Sequence, residues 1–193
     1  MSQFVHVTKQ GAIASPSGRT ALTAGPGAAG LGPSGPRRWR VRVLGPAEVA
    51  QHAASIVRLT REEQARQEGK LLRDIDIDSY LDKLLAKADL AVLEVAHRCC
   101  GFCAFYTYLP GLGTAFITLF LVSPDVRRNG MARDMLKVVA ASAAQRGFHS
   151  LTLRVRDDNA SAICFYLAQG FQVVDRHERD LEMRLEMTAF GAG

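Results

Sequence analysis

Residues 115–122 limit the folds open to this chain more than any other stretch. Ala115–Val122 is a strongly apolar run with Thr118 as its single polar side chain. It reads as a buried strand. A short loop follows, then a helix from about Gly130, with Met131, Met135, Val138 and Val139 on one face and Gly147 at its stop. Leu151, Leu153 and Val155 then alternate as a further strand. Strand, helix and strand in that order form a crossover unit, which makes the two strands parallel and the connection right-handed.

The rest of the chain arranges itself around that unit. Arg40–Leu44 alternates as a first strand and ends at Gly45-Pro46. Val49, Ala53, Ile56 and Val57 then recur at helical spacing. Thr60 and Glu63 have capping-box spacing, which predicts a second helical piece starting there. Asp78 is placed to cap a short helix carrying Leu81, Leu84 and Leu85. Ala91–His97 and Phe102–Tyr108 read as a hairpin, with Cys99–Cys103 in its turn, and residues 109–113 as the next turn. Ala160, Ile163 and Leu167 mark another helix, stopped at Gly170, before strands near Phe171–Val174 and Leu181–Met187. The order β-α-α-β-β-β-α-β-α-β-β predicts an α/β (α+β) domain. Its sheet is mixed and mostly antiparallel, with a central parallel β-α-β unit and helices on both faces.

Charge is the misleading quantity. The 193 residues carry a net charge of +5, which suggests nucleic acid or a membrane surface. Residues 1–40, however, hold Lys9, Arg19, Arg37, Arg38 and Arg40 and no acid, so the remainder has equal numbers of each sign. Residues 11–36 contain seven Gly and four Pro, too little apolar surface to offset the entropy of ordering them. Residues 1–38 are therefore expected to be a flexible basic extension, 39–188 the domain and 189–193 a short tail. The extension has no apolar core of a secretory signal. It reads as an unstructured leader or, less directly, as something like an organellar transit peptide. No run of 18 apolar residues is present to form a membrane helix. Cys99, Cys100, Cys103 and Cys164 lack a second ligand cluster, so no metal site is expected, and the pattern suits a reducing, cytoplasmic compartment.

Chemistry concentrates between Leu119 and Ala132, where the buried strand runs into a loop ending in Arg127-x-x-Gly130-x-Ala132. Amides at a helix start are unpaired and sit at its positive end, and small residues let an anion approach them. The segment reads as a phosphate cradle, or else as an ordinary loop with a glycine at the helix start. It lacks the Gly-Lys-Ser/Thr of a P-loop and two of the three glycines of the dinucleotide fingerprint.

Preceded by Val122-x-Pro124, this pattern resembles the acetyl-CoA-binding motif of the GNAT (GCN5-related N-acetyltransferase) superfamily. Asn159-Ala160-Ser161-Ala162-Ile163-Cys164-Phe165-Tyr166-Leu167-Ala168-Gln169-Gly170-Phe171 resembles that family's Asn-x-x-Ala-x-x-x-Tyr-x-x-x-Gly-Phe segment, and Leu181-Glu182-Met183 its closing strand. The resemblance spans about 39–188. It is specific from 115 onward and architectural before that.

The resemblance implies an acetyl-CoA-dependent N-acetyltransferase that moves an acetyl group to a primary amine by direct attack, with no metal. It places a bulge around Phe120–Val122, with the backbone of Phe120, Leu121 and Val122 holding the pantetheine arm. It assigns Arg127 and the backbone of Arg128, Asn129, Gly130, Met131 and Ala132, joined by Arg133, to the pyrophosphate. Asn159 would contact the pantetheine as well as capping its helix. Tyr166 would touch the cofactor and act as general acid, since a phenol of pKa near 10 can protonate a thiolate whose acid has a pKa of about 8.5 or above; the other reading of Tyr166 is a core aromatic. Cys164 reads as a small buried hydrophobe rather than a nucleophile. Glu94, or Thr118 through water, are candidates for deprotonating the amine. Asp74, Asp76, Asp78 and Asp82 form either an amine-attracting group or a solvated loop. The acceptor is a small-molecule or protein amine, with no nucleic acid and no membrane as partner, and a homodimer is compatible with this reading. Two other readings compete: a non-catalytic acyl-CoA-binding or regulatory module on the same fold, and a nucleic-acid-binding protein acting through its basic extension.

Overall fold

The computed structural model describes residues 39–73, 75–107 and 113–187. The expected extension over 1–38, the tail at 189–193, Asp74 and most of the 109–113 turn lie outside the described residues. Seven strands and four helices follow in the expected order: β1 (Trp39–Val43), α1 (Pro46–Arg66), α2 (Ile77–Lys87), β2 (Asp89–Val95), β3 (Arg98–Tyr106), β4 (Thr114–Val122), α3 (Met131–Gln145), β5 (Ser150–Arg156), α4 (Ala160–Ala168), β6 (Gln172–His177) and β7 (Asp180–Glu186). They form one sheet in the order β1-β2-β3-β4-β5-β7-β6. Among the described residues only β4 and β5 pair in parallel, and every other pairing is antiparallel.

Alternation in the strands feeds two cores, one on each face of the sheet. Leu90, Val92, Phe102, Ala104, Leu119 and Leu121 face α1 and α2, where Ile56, Leu59 and Leu84 pack on them. Leu93, Cys103, Phe105, Ile117, Phe120 and Val122 point the other way, against Met135, Leu136 and Val139 of α3 and Tyr166 of α4. β4 contributes to both, which is why its sequence is apolar at almost every position. β6 is the sheet's outer edge and all six of its residues are exposed.

Several local expectations are corrected. Helix α1 is continuous through Thr60, whose hydroxyl donates to the Ile56 carbonyl at 2.9 Å instead of capping a new helix. The true start of α1 is Pro46, at the first helical position, where its missing N–H costs nothing. Asp76, not Asp78, caps α2, accepting from the Ser79 amide at 2.8 Å. The first hairpin turns at Ala96 and His97, both at positive φ (47° and 63°). Cys99, Cys100 and Cys103 consequently lie inside β3 as small buried side chains. Cys164 is exposed on α4, not buried.

Candidate functional site

The parallel ladder stops early. β4 and β5 pair from Thr114–Ser150 to Ile117–Leu153, yet β4 runs on to Val122 and β5 to Arg156. Beyond Ile117 the two strands part. The bulge that accompanies this lies at Thr118, which is skipped as β3 pairs Ala104 with Leu119 and Phe105 with Ile117. The expected position around Phe120–Val122 was therefore two residues too late. An extra residue on one strand bends it and leaves backbone unpaired, so the bulge occurs where β4 turns from β5.

The chain leaves β4 through a short 3-10 turn, Pro124–Val126, and enters α3. Arg128 and Gly130 both have positive φ, 67° and 75°, which coils the loop so that α3 begins with no side-chain cap. The first amides of α3 thus lack both helical and capping partners. A Cβ at Gly130 would meet nothing within 4 Å, so the space over these amides is open. It belongs to a cleft of about 340 Å³ lined by Val122, Val126, Arg127, Arg128, Gly130, Met131, Ala132, Arg133, Phe165 and Gln169.

Seven of the residues singled out from sequence meet at this cleft: Val122, Arg127, Arg128, Gly130, Met131, Ala132 and Arg133. Phe120 and Leu121 are buried in the two cores, one on each side of the sheet, so only their backbone is available. Asn129 folds its side chain back on the loop, with Nδ2 3.3 Å from the Arg127 carbonyl and 3.4 Å from that of Val126. Asn159 caps α4, its Oδ1 accepting from the Ala162 amide at 3.2 Å. Phe165 of α4 and Gln169, the residue that caps its C-terminal end, stand one helical turn apart and line the cleft; their spacing within the second motif is the available signal.

The Arg127 guanidinium, although its residue lines the cleft, is engaged within the protein. Nε donates to the Val122 carbonyl at 2.7 Å and Nη2 to Oε2 of Glu63 at 3.0 Å. Burial, with the Arg66 cation beside it, lowers the group to about 10, which leaves it cationic at neutral pH.

Tyr166 sits across the splay. Its ring meets Phe120 of β4 edge-on with centroids 6.5 Å apart, and Phe165 and Phe171 at 5.2 and 5.3 Å. The residue is fully buried, and its hydroxyl makes no hydrogen bond among the described residues. Burial, with the Cys103 thiol nearby, pushes the phenol well above its ordinary value. A buried hydroxyl without a partner costs roughly 1–3 kcal/mol, and Tyr166 is not among the residues that line the cleft.

The other candidates are engaged elsewhere. The Glu94 carboxylate lies 3.2 Å from Nε2 of His52 and 3.5 Å from Nε of Arg42. Partial burial favours its neutral form, but the hydrogen bonds from His52 and Arg42 outweigh this and hold it below the usual carboxylate range. Thr118 is buried, its hydroxyl 3.2 Å from that of Tyr80. Of the acidic group, Asp76 caps α2 and Asp78 pairs with Arg61, while Asp74 lies outside the described residues. No group of three or more His, Cys, Asp or Glu is placed to hold a metal among the described residues, and no helix among them is long and apolar enough to cross a membrane.

The sequence profile of the Acetyltransferase (GNAT) family matches residues 55–171. The chain belongs to the GNAT acetyltransferase family. Solved structures share the GNAT fold at low identity. The PaiA N-acetyltransferase of Thermoplasma acidophilum, in complex with coenzyme A, superposes with a TM-score of 0.62 at 16% identity, over 77% of this chain and 98% of that one. YncA of Salmonella typhimurium, a putative acetyltransferase with acetyl-CoA, gives 0.59 at 20%, over 78% and 95%. The ribosomal-protein-S18-alanine N-acetyltransferase of Escherichia coli gives 0.57 at 20%, over 77% and 94%. No curated protein sequence matches the chain significantly. Within this GNAT domain the cleft, the loop and Tyr166 all lie at the end of the sheet where β4 and β5 part.

Proposed function

We propose that this GNAT protein transfers an acetyl group from acetyl-CoA to an amine by direct attack, with Tyr166 as the general acid. The observation that carries the proposal is the buried, unpartnered Tyr166 hydroxyl, packed against the stretch of β4 that has left β5. The residues present fit the cosubstrate. The uncapped amides of Met131, Ala132 and Arg133 can take a pyrophosphate, with Gly130 leaving room for it. Backbone of Thr118–Val122 that no longer faces β5 can pair with an extended amide-bearing arm. The Val122 carbonyl already accepts from Arg127 but keeps a second lone pair.

Acetyl-CoA supplies an activated acyl carbon. The amine nitrogen bonds to that carbon, the carbon–sulfur bond breaks, and the sulfur leaves with the bond's electron pair. Tyr166 holds its proton at Oη and gives it to that sulfur. Burial keeps the phenol protonated until needed. The same apolar surroundings disfavour both a bare thiolate and the Tyr166 phenolate, so the proton moves together with carbon–sulfur cleavage, and Tyr166 regains a proton from solvent once the thiol departs. Glu94, held as an anion by Arg42 and His52, is not assigned as the base. Loss of the amine's proton is left to solvent at the open side of the splay.

The reading is tested by thiol release from acetyl-CoA across a panel of small amines and peptides with free amino groups. Acceptor-dependent release supports it. Tight coenzyme A binding with no release for any acceptor would instead favour a non-catalytic acyl-CoA-binding module.

A further inference from the structure

We infer that Glu63 is a positioning residue for the acetyl-CoA site, acting through Arg127 to fix the loop between β4 and α3; the inference rests on the function proposed above. Glu63 lies near the end of α1, on the face of the sheet opposite α3 and α4. Its carboxylate is almost wholly buried, at 3% exposure, and the Arg127 side chain is 9% exposed. A buried carboxylate is costly unless its oxygens are satisfied, and these are. Oε1 accepts from Nε2 of Gln67 at 2.8 Å, and Oε2 from Nη2 of Arg127 at 3.0 Å and from Arg66.

Arg127 in turn donates through Nε to the Val122 carbonyl, at 2.7 Å. One rigid guanidinium therefore ties three things together: the last residue of β4, the loop that carries it, and α1. The planar fork allows a single geometry, which suits a strut better than a swinging anion ligand. Arg128, the residue that coils the loop at positive φ, is adjacent to this anchor. The arrangement reassigns Arg127. On this inference its side chain sets where the amides that take the pyrophosphate stand.

The test uses the full chain with Glu63→Gln, Arg127→Met and the double variant. It measures coenzyme A affinity by calorimetry, kcat at saturating acetyl-CoA, and hydrogen exchange of the Val126 and Arg127 amides, which bond within the loop to the Ser123 and Pro124 carbonyls. The expected result is a dissociation constant raised roughly tenfold in each single variant, with kcat changed less than about threefold. Faster exchange should be confined to those amides, and the double variant should be no weaker than Arg127→Met because both act through one path. Unchanged affinity and exchange in a folded Glu63→Gln would overturn the inference, even if the melting temperature fell. Wild-type protein that fails to bind coenzyme A would instead overturn the acetyl-CoA reading, and this inference with it. Should Arg127→Met not fold, Glu63→Gln decides, since it keeps the shape of the side chain while removing the charge and turning one acceptor oxygen into a donor.

Discussion

Ile117 of β4 and Leu153 of β5 form the last pair of the parallel ladder. Past them β4 is held only by β3, and Gly101 is what lets β3 hold it closely. A Cβ at Gly101 would stand 2.7 Å from the Leu121 carbonyl oxygen and 3.3 Å from Cα of Val122. Gly101→Ala is expected to push the free end of β4 outward. Overpacking of this kind costs about 1–3 kcal/mol, to be read by urea denaturation, and coenzyme A affinity should fall with it.

Gly130→Ala separates the site from the fold. The added Cβ meets no neighbour, but the residue stands at φ +75°, a left-handed conformation that costs a non-glycine residue about 1–2 kcal/mol. The methyl would also occupy the open space over the first amides of α3. Coenzyme A affinity should drop at least about tenfold while the domain stays folded, as checked by calorimetry beside a thermal melt.

Alkaline pH should destabilise the protein through its buried phenols. Tyr166 and Tyr80 are both raised above their ordinary value, chiefly by burial. A group whose folded pKa is raised adds stability that is present in full below its unfolded pKa, about 10 for tyrosine, and is lost as pH rises through the folded value. Unfolding free energy measured against pH should therefore decline above about pH 10. Tyr166→Phe should make that decline shallower. It should also leave stability at pH 7 unchanged or raised by up to about 1 kcal/mol, because it removes an unpaired buried hydroxyl.

Much of this architecture was legible in the sequence, because apolar period reports directly on burial. The element order and the parallel β4-α3-β5 unit follow from the runs at 115–122, 131–139 and 151–155. The loop was found from small residues before a helix, and Tyr166 from its place in a motif. What escaped had no local signal. Arg127 and Glu63 are 64 residues apart, and nothing near either announces the other. Thr60 and Glu63 have the spacing of a capping box, yet the helix runs straight through them, since Ile56 and Leu59 before them are already buried. Asp76 and Asp78 offer equivalent caps, and only the backbone path chooses between them.

The basic extension should be dispensable for the chemistry. Deleting residues 1–38 removes Lys9, Arg19, Arg37 and Arg38 but no residue of β1 or the cleft. The melting midpoint should move by less than about 2 °C, under about 1 kcal/mol for a domain of this size. Coenzyme A affinity should be unchanged. Loss of affinity in the shortened chain would show that bulk positive charge, not oriented amides, attracts the anion.

The central claim is that the Tyr166 hydroxyl delivers the proton to the departing sulfur, and the most direct measurement is kcat for thiol release by Tyr166→Phe beside its coenzyme A affinity. The phenylalanine keeps the ring contacts with Phe120, Phe165 and Phe171 and loses only the oxygen. The account predicts a fall in kcat of roughly 10²- to 10⁴-fold, the usual worth of a general acid, with coenzyme A affinity held within about threefold of wild type. A variant that releases thiol at the wild-type rate would contradict it.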